Sequence, residues 1–152
     1  IVDNARALAD GLQRRGARVA TGGTDNHIVL ADVASSFGLT GRQGESALRA
    51  VGMTLNRNSL PFDANGPWYT SGLRLGTPAL TTLGMGTDEV DEIADVAVEV
   101  LRATTPVSVN GKPSKAKFET EAKVVQEARA RIAGLCDKFP VYPEIDLSVV
   151  EG

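Results

Sequence analysis

The segment SGLRLGTPA places one arginine, Arg74, between two glycines. Side chains on a strand alternate between faces, so Gly72, Arg74 and Gly76 share one face while Leu73 and Leu75 face the core. A guanidinium offers a planar fork of donors that matches a carboxylate, and flanking glycines let a ligand approach closely. This pattern is typical of a carboxylate-binding arginine. The alternative is an exposed strand arginine that pairs with an acidic neighbour.

A second polar group lies in the segment NRNSLPFD, where Asn56 and Asn58 flank Arg57. On a strand the two amides share a face, and an amide carries the donor and the acceptor that suit the edge of a heterocycle. The alternative is the polar end of a strand before a proline turn. Trp68 and Tyr69 follow, and they line a pocket or belong to the local core.

Other kinds of site have little support in the sequence. His27 is the only histidine and Cys136 the only cysteine, which excludes a zinc site with several histidines, a cysteine metal site and an internal disulfide. We interpret His27 as a structural residue at the start of a strand, and we expect no metal site. No glycine-rich phosphate loop of the G-x-G-x-x-G or Walker type is present.

Composition narrows the class of protein. With 152 residues and 42% hydrophobic content the chain suits one globular domain. Its 16 basic and 19 acidic residues give a net charge of −3, which argues against a nucleic-acid partner. The chain has no apolar run of the length that spans a bilayer, so we expect no membrane partner. The lone cysteine fits a reducing compartment, and we expect a cytoplasmic protein.

Hydrophobic periodicity and turn signals predict the elements that position these residues. The predicted strands are residues 17–23, 27–33, 53–58 and 71–76. The predicted helices are residues 1–16, 40–52, 77–84, 87–103 and 118–139. Within them, Thr40 and Gln43 match a capping box, and Thr77 precedes Pro78 as an N-cap. The fold class is α/β, with a small sheet of three to four strands and helices packed on one face.

Further expectations concern particular segments of the chain. Residues 1–16 begin in mid-pattern, so we interpret them as the end of a longer helix between domains. Residues 59–70 are rich in proline, asparagine and glycine, which predicts an irregular loop. We expect a linker at 104–117, a C-terminal helix at 118–139 and a loose tail at 144–152.

Four motifs occur in order along the chain: GGTDNH (22–27), LTGRQGESAL (39–48), TLNRNSLPFD (54–63) and TSGLRLGTPA (70–79). With VDNARAL before them and KFPVYP after them, they resemble the C-terminal small domain of serine hydroxymethyltransferase. That family consists of fold-type I enzymes that use pyridoxal phosphate to interconvert serine and glycine, with transfer of a one-carbon unit to tetrahydrofolate. The resemblance implies that the whole chain, residues 1–152, is one C-terminal small domain of a larger enzyme.

The resemblance assigns roles at two matching positions. Arg74 corresponds to the family arginine that grips the α-carboxylate of the amino-acid substrate. Asn58 corresponds to the asparagine that contacts the pteridine ring of the folate. The family also implies a homodimer, with the active site where domains and subunits meet.

The family lysine that carries pyridoxal phosphate as a Schiff base belongs to the large domain, and no matching segment occurs in this chain. The lysines present are Lys112, Lys115, Lys117, Lys123 and Lys138, all in the predicted linker or last helix. We therefore expect no catalytic residue, no bound cofactor and no activity in the isolated chain. The alternative is a free-standing α/β regulatory module that binds a small molecule.

Overall fold

The computed structural model describes residues 1–144, which form seven α-helices and six β-strands. The helices are α1 (Val2–Arg14), α2 (Val33–Phe37), α3 (Gly41–Arg49), α4 (Gly66–Tyr69), α5 (Pro78–Thr82), α6 (Thr87–Arg102) and α7 (Ala122–Lys138). The strands are β1 (Arg18–Val19), β2 (Ile28–Asp32), β3 (Asn56–Asn58), β4 (Gly72–Gly76), β5 (Thr104–Val109) and β6 (Lys112–Thr120).

The central feature is an antiparallel sheet of four strands in the order β1-β2-β4-β3. Its inward face carries Val29, Ala31, Leu73 and Leu75, all buried in one apolar core. That core includes the apolar stripes of α1, α3, α6 and α7, so the helices pack on one face of the sheet. The predicted fold class is confirmed, and β4 alternates between core and open face as its sequence predicts.

The predicted capping box at the start of α3 is present, and its two side chains also bind the backbone of β6. Thr40 Oγ1 accepts from the Gln43 amide, and Gln43 Oε1 accepts from the Thr40 amide. The same two side chains donate to backbone carbonyls of β6: Thr40 to Lys115, and Gln43 to Ser114 and Lys117. The cap therefore also fixes β6 against α3.

The linker predicted at 104–117 is wrong, because this segment forms the antiparallel hairpin of β5 and β6. Asn110 and Gly111 both have positive φ, 52° and 78°, as a tight hairpin turn requires. The hairpin includes Pro106 and Pro113, and a two-stranded ribbon tolerates proline at positions that do not donate to the ladder. Phe118 consequently belongs to β6, and α7 starts at residue 122 rather than 118.

Three smaller differences concern local structure. The short helix α2 was not predicted; Asp32 caps it by accepting from the Ser35 amide, 3.0 Å away. The loop predicted at 59–70 contains the single turn α4. The first strand is only two residues long and is followed by a 3-10 turn. The tail predicted at 144–152 lies outside the described residues from residue 145 onward.

Within the described part of the chain, none of the helices combines the length and the apolar character needed to cross a membrane.

Charged side chains join α1, α6 and α7 on the outer side of the helical layer. Arg15 Nη1 donates to Asp91 over 2.8 Å and Arg15 Nε donates to Asp95 over 2.9 Å. Arg131 on α7 donates to Asp95 over 2.8 Å and to Glu99 over 3.2 Å. Asp95 therefore receives one guanidinium from each neighbouring helix and links all three.

These contacts stabilise the ionised form of the carboxyl groups. The hydrogen bond from Arg131, followed by that from Arg15, holds the pKa of Asp95 below its ordinary value despite partial burial. Because the pKa of Asp95 is lowered in the folded state, its ionised carboxylate stabilises the fold at pH values above the unfolded-state pKa of about 4. That contribution is lost as the pH falls through the folded-state value.

We predict that Asp95→Asn lowers the free energy of unfolding of this chain by about 1–2 kcal/mol at pH 7, because two charge-assisted hydrogen bonds weaken. The variant should also lose less stability than the wild type between pH 7 and pH 3, because one titrating group has gone. Urea unfolding at both pH values measures both effects. Equal losses on acidification in the two proteins would contradict the role given to Asp95.

Candidate functional site

Arg74 lies in the middle of β4, on the face of the sheet that is opposite to the core. In the strand register Arg74 faces Leu30 on β2 and Asn56 on β3. Its side chain is exposed, and within residues 1–144 it forms no hydrogen bond and no ion pair. Within residues 1–144, Arg74 therefore does not pair with an acidic neighbour, as the alternative interpretation required.

The outward residues of the strands form one surface, which we call the open face. It contains Ile28 and Leu30 from β2, Arg74 from β4, and Asn56 and Asn58 from β3. Ile28 and Leu30 are half-buried. The two site residues suggested by the sequence, Arg74 and Asn58, therefore share one face on neighbouring strands, as diagonal neighbours.

The two glycines beside Arg74 have different roles. A Cβ atom at Gly72 would lie 2.8 Å from Leu60 Cδ2 and 2.9 Å from the Asn58 carbonyl oxygen. The expectation that Gly72 clears space for a ligand is therefore wrong, because the chain after β3 fills that space. At Gly76 the nearest atoms would be 3.7 Å away, so this side of Arg74 remains accessible.

The two asparagines of β3 differ in their surroundings. Asn58 is half-buried, and its Nδ2 donates to the Ser59 carbonyl over 2.9 Å. That bond leaves Oδ1 and the second N–H for a ligand. Asn56 is exposed, and within residues 1–144 its amide forms no hydrogen bond.

Asp63 organises the loop that joins Asn58 to the start of β4, and sequence reasoning missed it. Its carboxylate accepts from the amides of Leu60 and Asn65 at 3.0 and 2.8 Å, and from the amide and hydroxyl of Ser71 at 2.8 and 2.7 Å. Burial opposes ionisation, but these four bonds hold the pKa of Asp63 below its ordinary value. The aspartate among turn residues in NSLPFD was the available signal.

The aromatic residues of the loop lie at the surface rather than in the core. The Trp68 side chain is 60% exposed, and the guanidinium carbons of Arg57 and Arg42 lie 5.0 and 5.7 Å from its ring centre. Tyr69 is half-buried, with Lys115 Nζ 5.7 Å from its ring. Trp68 therefore packs against Arg57 of β3 and Arg42 of α3.

Hydrogen bonds connect the segment after β4 to the beginning of the first helix. Thr77 is fully buried, and its hydroxyl donates to the Ile1 carbonyl over 2.9 Å. The predicted positions of Thr77 as the N-cap residue and Pro78 in the first turn of α5 are confirmed, although the Thr77 hydroxyl forms this contact with Ile1 and no side-chain cap bond. Asn4 adds two bonds, to Thr81 Oγ1 and to the Met85 carbonyl, both of 2.9 Å.

Two further groups from the sequence lie off the open face. His27 is exposed just before β2, and its carbonyl accepts from the Thr77 amide over 3.3 Å. All five lysines of the chain lie on β6 or α7, and none lies on the four-stranded sheet. Among residues 1–144 no three histidine, cysteine or acidic side chains form a group that could hold a metal ion.

Comparison with known proteins identifies relatives of this chain. The family model described as serine hydroxymethyltransferase matches residues 1–97. The chain is 52% identical over 149 residues to the serine hydroxymethyltransferase of Cutibacterium acnes, which covers 97% of this chain and 30% of that relative. It is 52% identical over 151 residues to that of Chlamydia abortus, covering 99% and 30%. The relative from Salinispora tropica is 53% identical over 148 residues, covering 97% and 31%.

The chain thus spans about 30% of the length of the curated relatives it matches.

We predict that Asp63→Ala destabilises this chain by about 2 kcal/mol, because a charged acceptor is removed and the buried Ser71 amide loses its partner. Urea unfolding measures the change. Asp137→Ala, at an exposed position on α7, is the matched control and should change the free energy of unfolding by less than about 0.5 kcal/mol. Equal stability of the two variants would show that Asp63 does not hold the loop.

Proposed function

The chain belongs to the serine hydroxymethyltransferase family, and from this membership we propose that it forms the C-terminal small domain of such an enzyme. In the whole enzyme the proposed reaction is the interconversion of serine and glycine, with transfer of a one-carbon unit to tetrahydrofolate. This chain contributes contacts to the two substrates through its open face.

The proposed ligand of Arg74 is the α-carboxylate of serine or glycine. The observation that carries this role is an exposed guanidinium at the centre of a sheet face, without an acidic partner among residues 1–144. An arginine held by a neighbouring aspartate or glutamate would lose that partner on binding substrate, whereas Arg74 offers its donors directly. Two parallel N–H···O bonds to a carboxylate also fix the direction of the α-carbon.

The proposed role of Asn58 is to contact the pteridine ring of the folate. Its amide keeps an acceptor and one donor after the bond to Ser59, and this pair matches the edge of a heterocycle. Because Asn58 and Arg74 occupy adjacent strands of one rigid sheet, both substrates would be held in a fixed mutual orientation. Such positioning supplies several kcal/mol of the reduction in the barrier.

The residues of this chain do not fit the Schiff-base role towards pyridoxal phosphate, because no lysine lies on the four-stranded sheet. We therefore place the cofactor on the remaining part of the family's chain, which is the proposed partner of the open face. When bound, the cofactor supplies an electron sink for the bond broken at the α-carbon. We further propose a cytoplasmic homodimer, in line with the family.

In the full-length enzyme, Arg74→Ala should weaken serine and glycine binding by about 3–5 kcal/mol, because the carboxylate loses a bidentate charged partner. Arg18→Ala is the matched control, since Arg18 is an exposed arginine on the same face of the sheet. Asn58→Ala should instead raise the folate KM and leave glycine affinity close to wild type. Unchanged glycine affinity in Arg74→Ala would reject the assignment.

The chain by itself should be inactive. After mixing with pyridoxal phosphate and glycine and removal of free cofactor, we expect no absorbance of a Schiff base, because no lysine of this chain lies on the four-stranded sheet. A chromophore that survives the removal of free cofactor would contradict the proposal that the cofactor belongs to another part of the enzyme.

A further inference from the structure

A group of aromatic and basic side chains lies at the surface where α3, α4, β3 and β6 meet. Trp68 and Tyr69 follow one another on α4, and the Trp68 side chain is 60% exposed. The guanidinium carbons of Arg57 and Arg42 lie 5.0 and 5.7 Å from the Trp68 ring centre, and Lys115 Nζ lies 5.7 Å from the Tyr69 ring centre. We call these five side chains the basic surface.

The hairpin brings Lys115 to this place because the capping box of α3 binds β6. The Thr40 hydroxyl donates to the Lys115 carbonyl over 2.7 Å, and Arg42 follows Thr40 by two residues. The backbone of Lys115 therefore lies at the first turn of α3, where the helix dipole adds positive potential to that of the side chains.

The positive charge of the basic surface is only partly compensated. Arg57 lies 3.6 Å from Glu45, and the same carboxylate lies 3.4 Å from Arg49. Within residues 1–144 neither Arg42 nor Lys115 forms an ion pair. One carboxylate is thus shared by two arginines, while two further cations face solvent without an acidic partner in that part of the chain. Such a surface attracts an anionic partner.

The aromatic side chains of this surface are held in place by the structure around α4. The Thr70 amide, directly after α4, donates to the Gly66 carbonyl over 2.9 Å. Asp63 accepts from the Asn65 amide before α4 and from the Ser71 amide after it, both over 2.8 Å. Because both ends of this turn are fixed, little freedom remains to be lost on binding. An exposed tryptophan between arginines has the composition of a binding hot spot.

The basic surface is distinct from the open face. Arg57 lies between Asn56 and Asn58 on β3, so alternation places its side chain on the other side of the strand. Its contact with Trp68 agrees with this placement. A partner on the basic surface therefore leaves the proposed substrate positions at Asn58 and Arg74 open.

We propose that the basic surface binds an acidic polypeptide segment, in which aspartate or glutamate residues flank an apolar residue. The apolar residue covers the exposed part of the Trp68 ring, and the carboxylates pair with Arg42 and Lys115. An arginine in contact with an aromatic ring keeps its N–H donors for a carboxylate. Recognition of acidic motifs by clustered arginines is a recurrent mode of peptide binding. A peptide is favoured over a nucleic acid because the chain as a whole carries a net charge of −3.

The test uses the full-length enzyme and a fluorescein-labelled peptide of aspartate and glutamate residues around one leucine, with fluorescence anisotropy to measure the Kd. Trp68→Ala should raise the Kd at least about tenfold, because the central aromatic contact is lost. Arg42→Glu and Lys115→Glu should each raise it about tenfold, because an attracting charge becomes a repelling one. Added salt should weaken binding to the wild type, because it screens exposed charges.

Control variants separate recognition from a general effect on the fold. Lys123→Glu changes an exposed lysine of α7 and should alter the Kd by less than about twofold. Trp68→Phe keeps an aromatic ring and should bind the peptide within about threefold of the wild type. Because Lys115 is exposed, Lys115→Glu should keep the wild-type Tm. Glycine affinity should stay at the wild-type value in each of these variants.

Three results would overturn the inference. The first is that the wild-type enzyme does not bind the peptide, as expected if another part of the enzyme covers Trp68. The second is an unchanged Kd in both Arg42→Glu and Lys115→Glu. The third is tighter binding of a single-stranded oligonucleotide than of the peptide, lost in the same variants, which would assign the surface to nucleic acid. The proposed function is tested separately, by the glycine affinity of Arg74→Ala.

Discussion

The alternation of β4 between two environments determines where the candidate site can be. Leu73 and Leu75 are buried among the helices, and burying each leucine contributes about 1.5–3 kcal/mol. Because the side-chain period of a strand is two, this burial commits Arg74 to the opposite face. The apolar core and the exposed cation are therefore consequences of one register, which β2 and β3 maintain on either side.

Polar side chains hold the segments around this strand, and most of them act on the backbone. Asp63 binds both ends of the loop between β3 and β4. The capping box of α3 binds β6 as well as its own helix. Within residues 1–144 no buried side-chain polar atom lacks a hydrogen-bond partner, so these contacts compensate for the loss of water. Arg74 and Asn56 differ from these residues, because their side-chain donors are exposed and form no hydrogen bond within residues 1–144.

Features set by short-range pattern could be predicted from the sequence, and those set by distant contacts could not. The faces of β4 follow from alternation, and the capping box of α3 follows from residues three apart. The sequence misled us about Gly72. Glycine is required there because Leu60, from the preceding loop, packs closely against it. Thr77 occupies the predicted position, but its hydroxyl bonds to residue 1, 76 positions away. The hairpin carried a local turn signal in Asn110 and Gly111, which the linker prediction did not take into account.

The hydrogen bonds between the chain after β4 and the beginning of α1 have a mechanical consequence. Thr77 and Asn4 form three bonds there, each 2.9 Å long, and Thr77 follows directly after the strand of Arg74. A displacement of α1 along its axis would break these bonds unless β4 moved with it. The helix and the strand that carries Arg74 are consequently coupled through these bonds, so that a shift of one is transmitted to the other.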